Sequence, residues 1–162
     1  MEVSMVFIKN KKVLIAIAIV LLCVIILMIY SYQNKVTEAS IIRDFNENYE
    51  LFHTVEKYAD ETSTIIFAHK KGDRVVIRTS NQDKENQNIL IRPQIEDIIN
   101  KLKYESIEVE DGPALKNIIT FERTSKGGVE QGIVFIKDDS GKYGMKMVKI
   151  REGWYYYLTG DV

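Results

Sequence analysis

The residues able to do chemistry are few and widely scattered. Only two histidines occur, His53 and His69, and no HExxH, paired CxxC or EF-hand loop accompanies them, so no metal site is expected. His53 reads as a helix-border residue next to Phe52, and His69 as a polar residue at the end of a strand. Nucleophilic catalysis needs an activated Ser, Thr or Cys with a base and an orienting acid. The one cysteine, Cys23, lies inside an apolar run, and no GxSxG or SxxK motif is present. Gly127 and Gly128 join two strands instead of opening a helix, which argues against a phosphate-cradling loop. No catalytic residue, metal ligand or cofactor site is therefore expected, and the chain does not read as an enzyme.

Carboxylates are more numerous. Glu105, Glu108, Glu110 and Asp111 cluster about one segment, and Asp138 and Asp139 form a turn. On an alternating strand Glu108 and Glu110 point the same way, opposite to Ile107 and Val109, as on a solvated sheet face. Basic residues gather only at Lys70 and Lys71 and in the set Lys142, Lys146, Lys149 and Arg151. The most distinctive segment is Trp154, Tyr155, Tyr156 and Tyr157. Alternation sends Trp154 and Tyr156 to one face and Tyr155 and Tyr157 to the other, so one pair packs under helices and the other is expected half-exposed, as a partner or glycan contact.

The elements that position these residues fall into two unlike parts. The chain has 162 residues, 46% hydrophobic and 28% charged, with a net charge of −1. Residues 13–30 form an uncharged apolar run. As a helix it would rise about 27 Å, close to the roughly 30 Å hydrocarbon thickness of a bilayer, which predicts a transmembrane helix. Bulky residues about Tyr30 and Tyr32 argue against signal-peptide cleavage, and Val20, Leu21 and Leu22 before Cys23 argue against a lipoprotein site. The uncleaved segment is then a signal anchor through which the chain contacts the lipid bilayer. Lys9, Lys11 and Lys12 precede the run and Lys35 follows it. The positive-inside rule then makes residues 1–12 a cytoplasmic N-terminus and residues 31–162 an extracytoplasmic domain of the cell envelope.

After the run, Thr37 and Ser40 lead into an amphipathic helix of about 20 residues whose apolar stripe is Ile41, Phe45, Tyr49, Phe52 and Val55. The pattern predicts a β-hairpin over 64–68 and 74–78, turning near Gly72, then a second helix from Pro93 with Ile95, Ile98, Ile99 and Leu102 inward, ending near Tyr104. Strands follow at 106–110, 117–123, 132–136, 145–150 and 154–158. Four or five antiparallel strands need one face covered, and two amphipathic helices are available for it. The fold class is thus α+β, an N-terminal transmembrane helix followed by a two-layer domain of two helices packed on an antiparallel β-sheet. Residues 31–162 carry three more acidic than basic side chains, with no basic stripe, so nucleic acid is not an expected partner.

Residues 42–58, IRDFNENYELFHTVEKY, the helix at 93–104 and the closing GWYYYL together resemble uncharacterised membrane-anchored or lipid-anchored small proteins of Gram-positive bacteria. The resemblance implies an envelope location and an α+β domain, and supplies no catalytic residues. The leading expectation is a single-pass membrane-anchored binding or interaction module that contacts another envelope protein or polymer. Two alternatives stand beside it. A pilin-like structural assembly subunit shares the helix-then-sheet plan but not the cleavage site or early glutamate such subunits use. A small envelope hydrolase would need Glu108, Glu110 and His69 to converge in one cleft.

Overall fold

The computed structural model describes residues 13, 15–26, 36–62, 64–80, 89–110, 118–126, 129–137 and 145–160. The chain divides into two units, Met1–Val36 and Thr37–Val162. In the first, residues 15–26 are helical and exposed. Among the described residues no helix is long and apolar enough to cross a membrane. Residues 14 and 27–30 of the expected span lie outside the described residues, as does the junction at Gln33 to Lys35.

The second unit opens with helix α1 (Glu38–Glu47). Its first turn leaves backbone N–H groups without intrahelical acceptors, and Thr37 supplies one. The Ser40 N–H donates to Thr37 Oγ1 at 3.2 Å, and the Thr37 N–H donates to Ser40 Oγ at 3.0 Å, a reciprocal capping box. Thr37→Ala is expected to cost about 1 kcal/mol. Urea unfolding of the full chain in detergent micelles, followed through Trp154 fluorescence, measures it, since Trp154 is the sole tryptophan and lies in this unit.

The expected single helix is two. Asn48 breaks it (φ −122°, ψ 25°), and α2 (Tyr49–Thr62) follows at once. The Asn48 side-chain amide donates to the Asp44 carbonyl at 2.8 Å, an acceptor the Asn48 N–H also uses. A local side-chain bond of this kind competes with helical geometry. The apolar stripe survives the break: Ile41, Phe45, Phe52 and Val55 are fully buried. Each such side chain contributes roughly 1.5–3 kcal/mol of burial.

Strands β1 (Ile66–Lys71) and β2 (Arg74–Thr79) form the expected hairpin. Lys71 faces Arg74 across a two-residue loop that begins with Gly72 at φ +63°, the left-handed conformation glycine adopts without steric cost. The next helix is shorter than its pattern suggested. Helix α3 (Arg92–Glu96) gives way to a π-helical turn (Asp97–Lys101), and Lys103 ends it at φ +62°. Strands β3 (Ser106–Glu110), β4 (Ile118–Lys126), β5 (Val129–Ile136), β6 (Lys146–Arg151) and β7 (Trp154–Leu158) complete the domain.

The seven strands of the described residues join one antiparallel sheet in the order β2-β1-β3-β4-β5-β7-β6. The hairpin belongs to the same sheet as the C-terminal strands, through β1 and β3. Strand β7 sits between β5 and β6, so the C-terminal strands do not follow one another across the sheet as in a plain meander. Register sorts the side chains. One row crosses the sheet as Ile77, Ala68, Ile107, Phe121, Ile133, Tyr156 and Val148, and all but Val148 are buried. This face carries the helices: the rings of Phe45 and Phe52 lie 5.1 Å apart, and Phe52 sits 4.9 Å from Phe121. Helices layered on one face of an antiparallel sheet are the α+β arrangement the pattern required, with α3 as a third segment beside α2.

The opposite face is divided. Toward β7 it holds an apolar cluster of Ile118, Val134, Ile136, Tyr155 and Tyr157, with Met145 and Met147 packed against it. Toward β1 it is polar, and it presents Phe67 and Glu108 to solvent.

Candidate functional site

The aromatic segment is not a surface. Trp154, Tyr155, Tyr156 and Tyr157 are only 2%, 6%, 2% and 2% exposed, so the half-exposed pair expected from alternation is absent. Alternation itself holds: Trp154 and Tyr156 lie on the helix face, Tyr155 and Tyr157 in the second cluster. A sheet with apolar groups on both faces buries both pairs. The Tyr156 hydroxyl donates to Gln131 Oε1 at 3.0 Å, and burial, then the nearby Glu38, push its pKa up. Burial pushes Tyr157 up as well, reinforced by Glu122 and Glu130.

The histidines occupy separate settings. His53 stacks on Tyr49 at 5.4 Å, and its Nδ1 lies 2.8 Å from Glu56 Oε2. The Tyr49 ring also receives the Arg151 guanidinium at 4.0 Å, and Arg151 donates to Asn46 Oδ1 at 3.1 Å. This group ties the edge strand β6 to the helices. His69 lies beside Phe67 on the open face, opposite Ser106. Glu108 and Glu110 share that face, with Glu108 opposite Phe67. Among the described residues no group of three His, Cys, Asp or Glu side chains is placed to hold a metal ion. Asp111, Asp138, Asp139 and Lys142 lie outside the described residues.

Among the described carboxylates Glu108 is the one whose surroundings bear on it most. Partial burial pushes its pKa up, and Glu110, Glu122 and Glu130 add to the effect. A carboxyl with a raised folded-state pKa binds its proton more readily folded than unfolded, so it disfavours folding above that pKa and the penalty fades as pH falls through it. Glu108→Gln is expected to raise the melting temperature at pH 7 by roughly 1–3 °C. Scans at pH 7 and below pH 4 check the sign, since the gain disappears once the carboxyl is protonated in both states.

The residues that do come together form an open cleft of about 460 Å³ at one end of the sheet. Lys70 from the end of β1, Lys103 and Tyr104 from the segment after the π turn, and Glu105, Ser106 and Glu122 from the β3–β4 edge line it. Three backbone irregularities meet there. The π turn and left-handed Lys103 bring one wall, and a register shift between Glu122 and Thr124 bends β4 at the other. Such departures cost free energy and concentrate where a side chain must be re-aimed. The Ser106 hydroxyl donates to Glu122 Oε2 at 2.8 Å. The Glu105 N–H donates to the Glu122 carbonyl at 2.7 Å, and the Lys70 N–H to the Glu105 carbonyl at 3.4 Å, which carries the ladder into the rim.

Behind the cleft, Tyr104 runs into the helix-face core. Its ring meets Phe52 at 5.4 Å and the Arg123 guanidinium at 5.1 Å. Arg123 in turn reaches Asp44 Oδ2 at 3.3 Å. Burial pushes the Tyr104 phenol up against the opposing pull of Arg123, so the group stays neutral.

Lys103, Tyr104, Ser106 and Glu122 escape a motif search because each stands at the end or bend of an element. The one signal in the sequence is a helix that stops without glycine or asparagine, which places a lysine where the left-handed residue falls. No protein family, curated protein or solved structure matches the chain.

Proposed function

We propose that this chain is a single-pass membrane-anchored binding module of the cell envelope. Residues 13–30 cross the bilayer, residues 1–12 remain in the cytoplasm, and the α+β domain outside contacts another envelope component. The observation that carries the reading is the uncharged apolar run of residues 13–30, which stands directly before a separately packed unit that begins at Thr37. Orientation rests on Lys9, Lys11 and Lys12 before the run against Lys35 after it. For the domain, binding is favoured over catalysis by the open charged cleft, whose walls bring no nucleophile, base and orienting acid into one line.

The experiment is impermeant thiol labelling in intact cells. Cys23 is replaced by serine and a cysteine is introduced at exposed Lys101. Labelling before lysis, in a protein that stays in the membrane pellet after alkaline carbonate, is the expected result. Labelling only after lysis overturns the orientation, and release by carbonate overturns the anchor.

A further inference from the structure

We propose that the cleft between Lys70 and Lys103 binds a short zwitterionic peptide, its carboxylate held by the two lysines and its ammonium by Glu122 and Glu105. The inference deepens the reading of this domain as a binding module and rests on it for its biological setting.

The first observation is charge left unused. Lys101 pairs with Asp97 and Arg92 with Glu96 on the same helical segment, each at i and i+4. Lys70, Lys103 and Glu105 form no ion pair among the described residues, although Lys70 and Glu105 stand opposite each other across the β1–β3 ladder on one face. Opposite charges at that spacing ordinarily close on each other. Here both point charges remain available at the rim of a concavity.

The second is balance. Two ammonium groups and two carboxylates stand among the described lining residues, so their charges cancel and a polyanion such as a phosphate ester would meet Glu105 and Glu122 as well as the lysines. A ligand that carries both signs satisfies both walls. The Ser106 hydroxyl donates to Glu122 Oε2, which fixes the carboxylate and leaves its other oxygen to accept from an ammonium group.

The third is size and backing. About 460 Å³ falls within the roughly 300–1,000 Å³ of small-molecule sites, and buried Ile99 with Tyr104 gives the cleft an apolar side for a small side chain. The left-handed backbone at Lys103 aims that residue from a position where a lysine is otherwise uncommon.

The test is calorimetric titration of the full chain in detergent micelles with glycylalanine, its N-acetyl form and its C-terminal amide. Saturable binding of glycylalanine, weakened about tenfold by either cap, is expected from the loss of one charge-assisted contact. Lys103→Met should weaken glycylalanine by about tenfold and leave the amide unchanged, and Glu122→Gln should do the same relative to the N-acetyl form. Lys70→Met at an exposed position provides a second cation variant, and an unchanged Trp154 emission maximum shows that each variant is folded. Equal binding of all three peptides, or no saturable heat at millimolar ligand, overturns the proposal. Titration in micelles does not depend on topology: saturable binding beside a failed labelling experiment removes the envelope setting alone, and absent binding beside a successful one removes the ligand alone.

Discussion

Replacing Gly132 by alanine is expected to destabilise the domain by about 3 kcal/mol or more, beyond the usual range for one added methyl group. Gly132 stands in the middle of the sheet, opposite Glu122 of β4 and Tyr157 of β7. A Cβ there would lie 2.0 Å from the Phe121 carbonyl oxygen and 3.0 Å from both the Phe121 carbonyl carbon and Tyr157 Cε1. The oxygen belongs to the backbone of a central strand, so it cannot swing aside as a side chain would. Strand β4 must move, and β3 and β1 beyond it are in register with β4. The position also lies beside the register shift at Glu122 to Thr124, where the backbone of β4 already departs from a regular ladder. Urea unfolding of the full chain in micelles, read by Trp154 emission, measures the loss. A cost below about 1 kcal/mol would show that β4 yields easily at this point. Such a result would also weaken the case that the bend beside the Lys70–Lys103 cleft is rigidly held.

How much of this was legible beforehand depends on the range of the physics involved. Period-2 and period-3.6 patterns report burial on one face, and they located the hairpin, the strands at 106–110 and 154–158, and the stripe Ile41, Phe45, Phe52 and Val55 that binds the helices to the sheet. The break at Asn48 was hidden because the stripe continues through it: apolar spacing is indifferent to one residue whose side chain takes over a backbone acceptor. The insertion of β7 between β5 and β6 is a matter of strand order, which alternation does not encode. Half-exposure of one of the two aromatic pairs was expected because alternation assigns two faces and says nothing of whether the second is also covered with apolar neighbours. Ile118, Val134 and Ile136 supply those neighbours from two other strands. The cleft was least legible of all. Its walls come from residues 70, 103–106 and 122, and only the antiparallel pairing of β1, β3 and β4 brings them to one end of the sheet.

Burial also changes what the aromatic segment is for, and Trp154→Ala is the sharpest measure of that. Among the described residues five rings surround Trp154: Phe45 and Phe135 at 5.0 Å, Phe121 at 5.9 Å, Tyr49 at 6.2 Å and Phe52 at 6.4 Å. They come from α1, α2, β4 and β5, so the indole joins the layers rather than filling one side of a pocket. Truncation is expected to cost about 3–5 kcal/mol, because few of those rings can close the void without leaving their own contacts. Trp154→Phe keeps most of the packing and should cost about half as much. Far-UV circular dichroism must follow both variants, since the fluorescent reporter is lost. A photoreactive amino acid at position 154 separates the two roles directly. A core residue yields internal crosslinks to the segments of Phe45 and Phe121, and capture of a foreign protein instead would return the segment to the surface. A large stability loss together with internal crosslinks leaves the proposed binding to the charged end of the sheet, where Lys70 and Lys103 remain without ion-pair partners among the described residues.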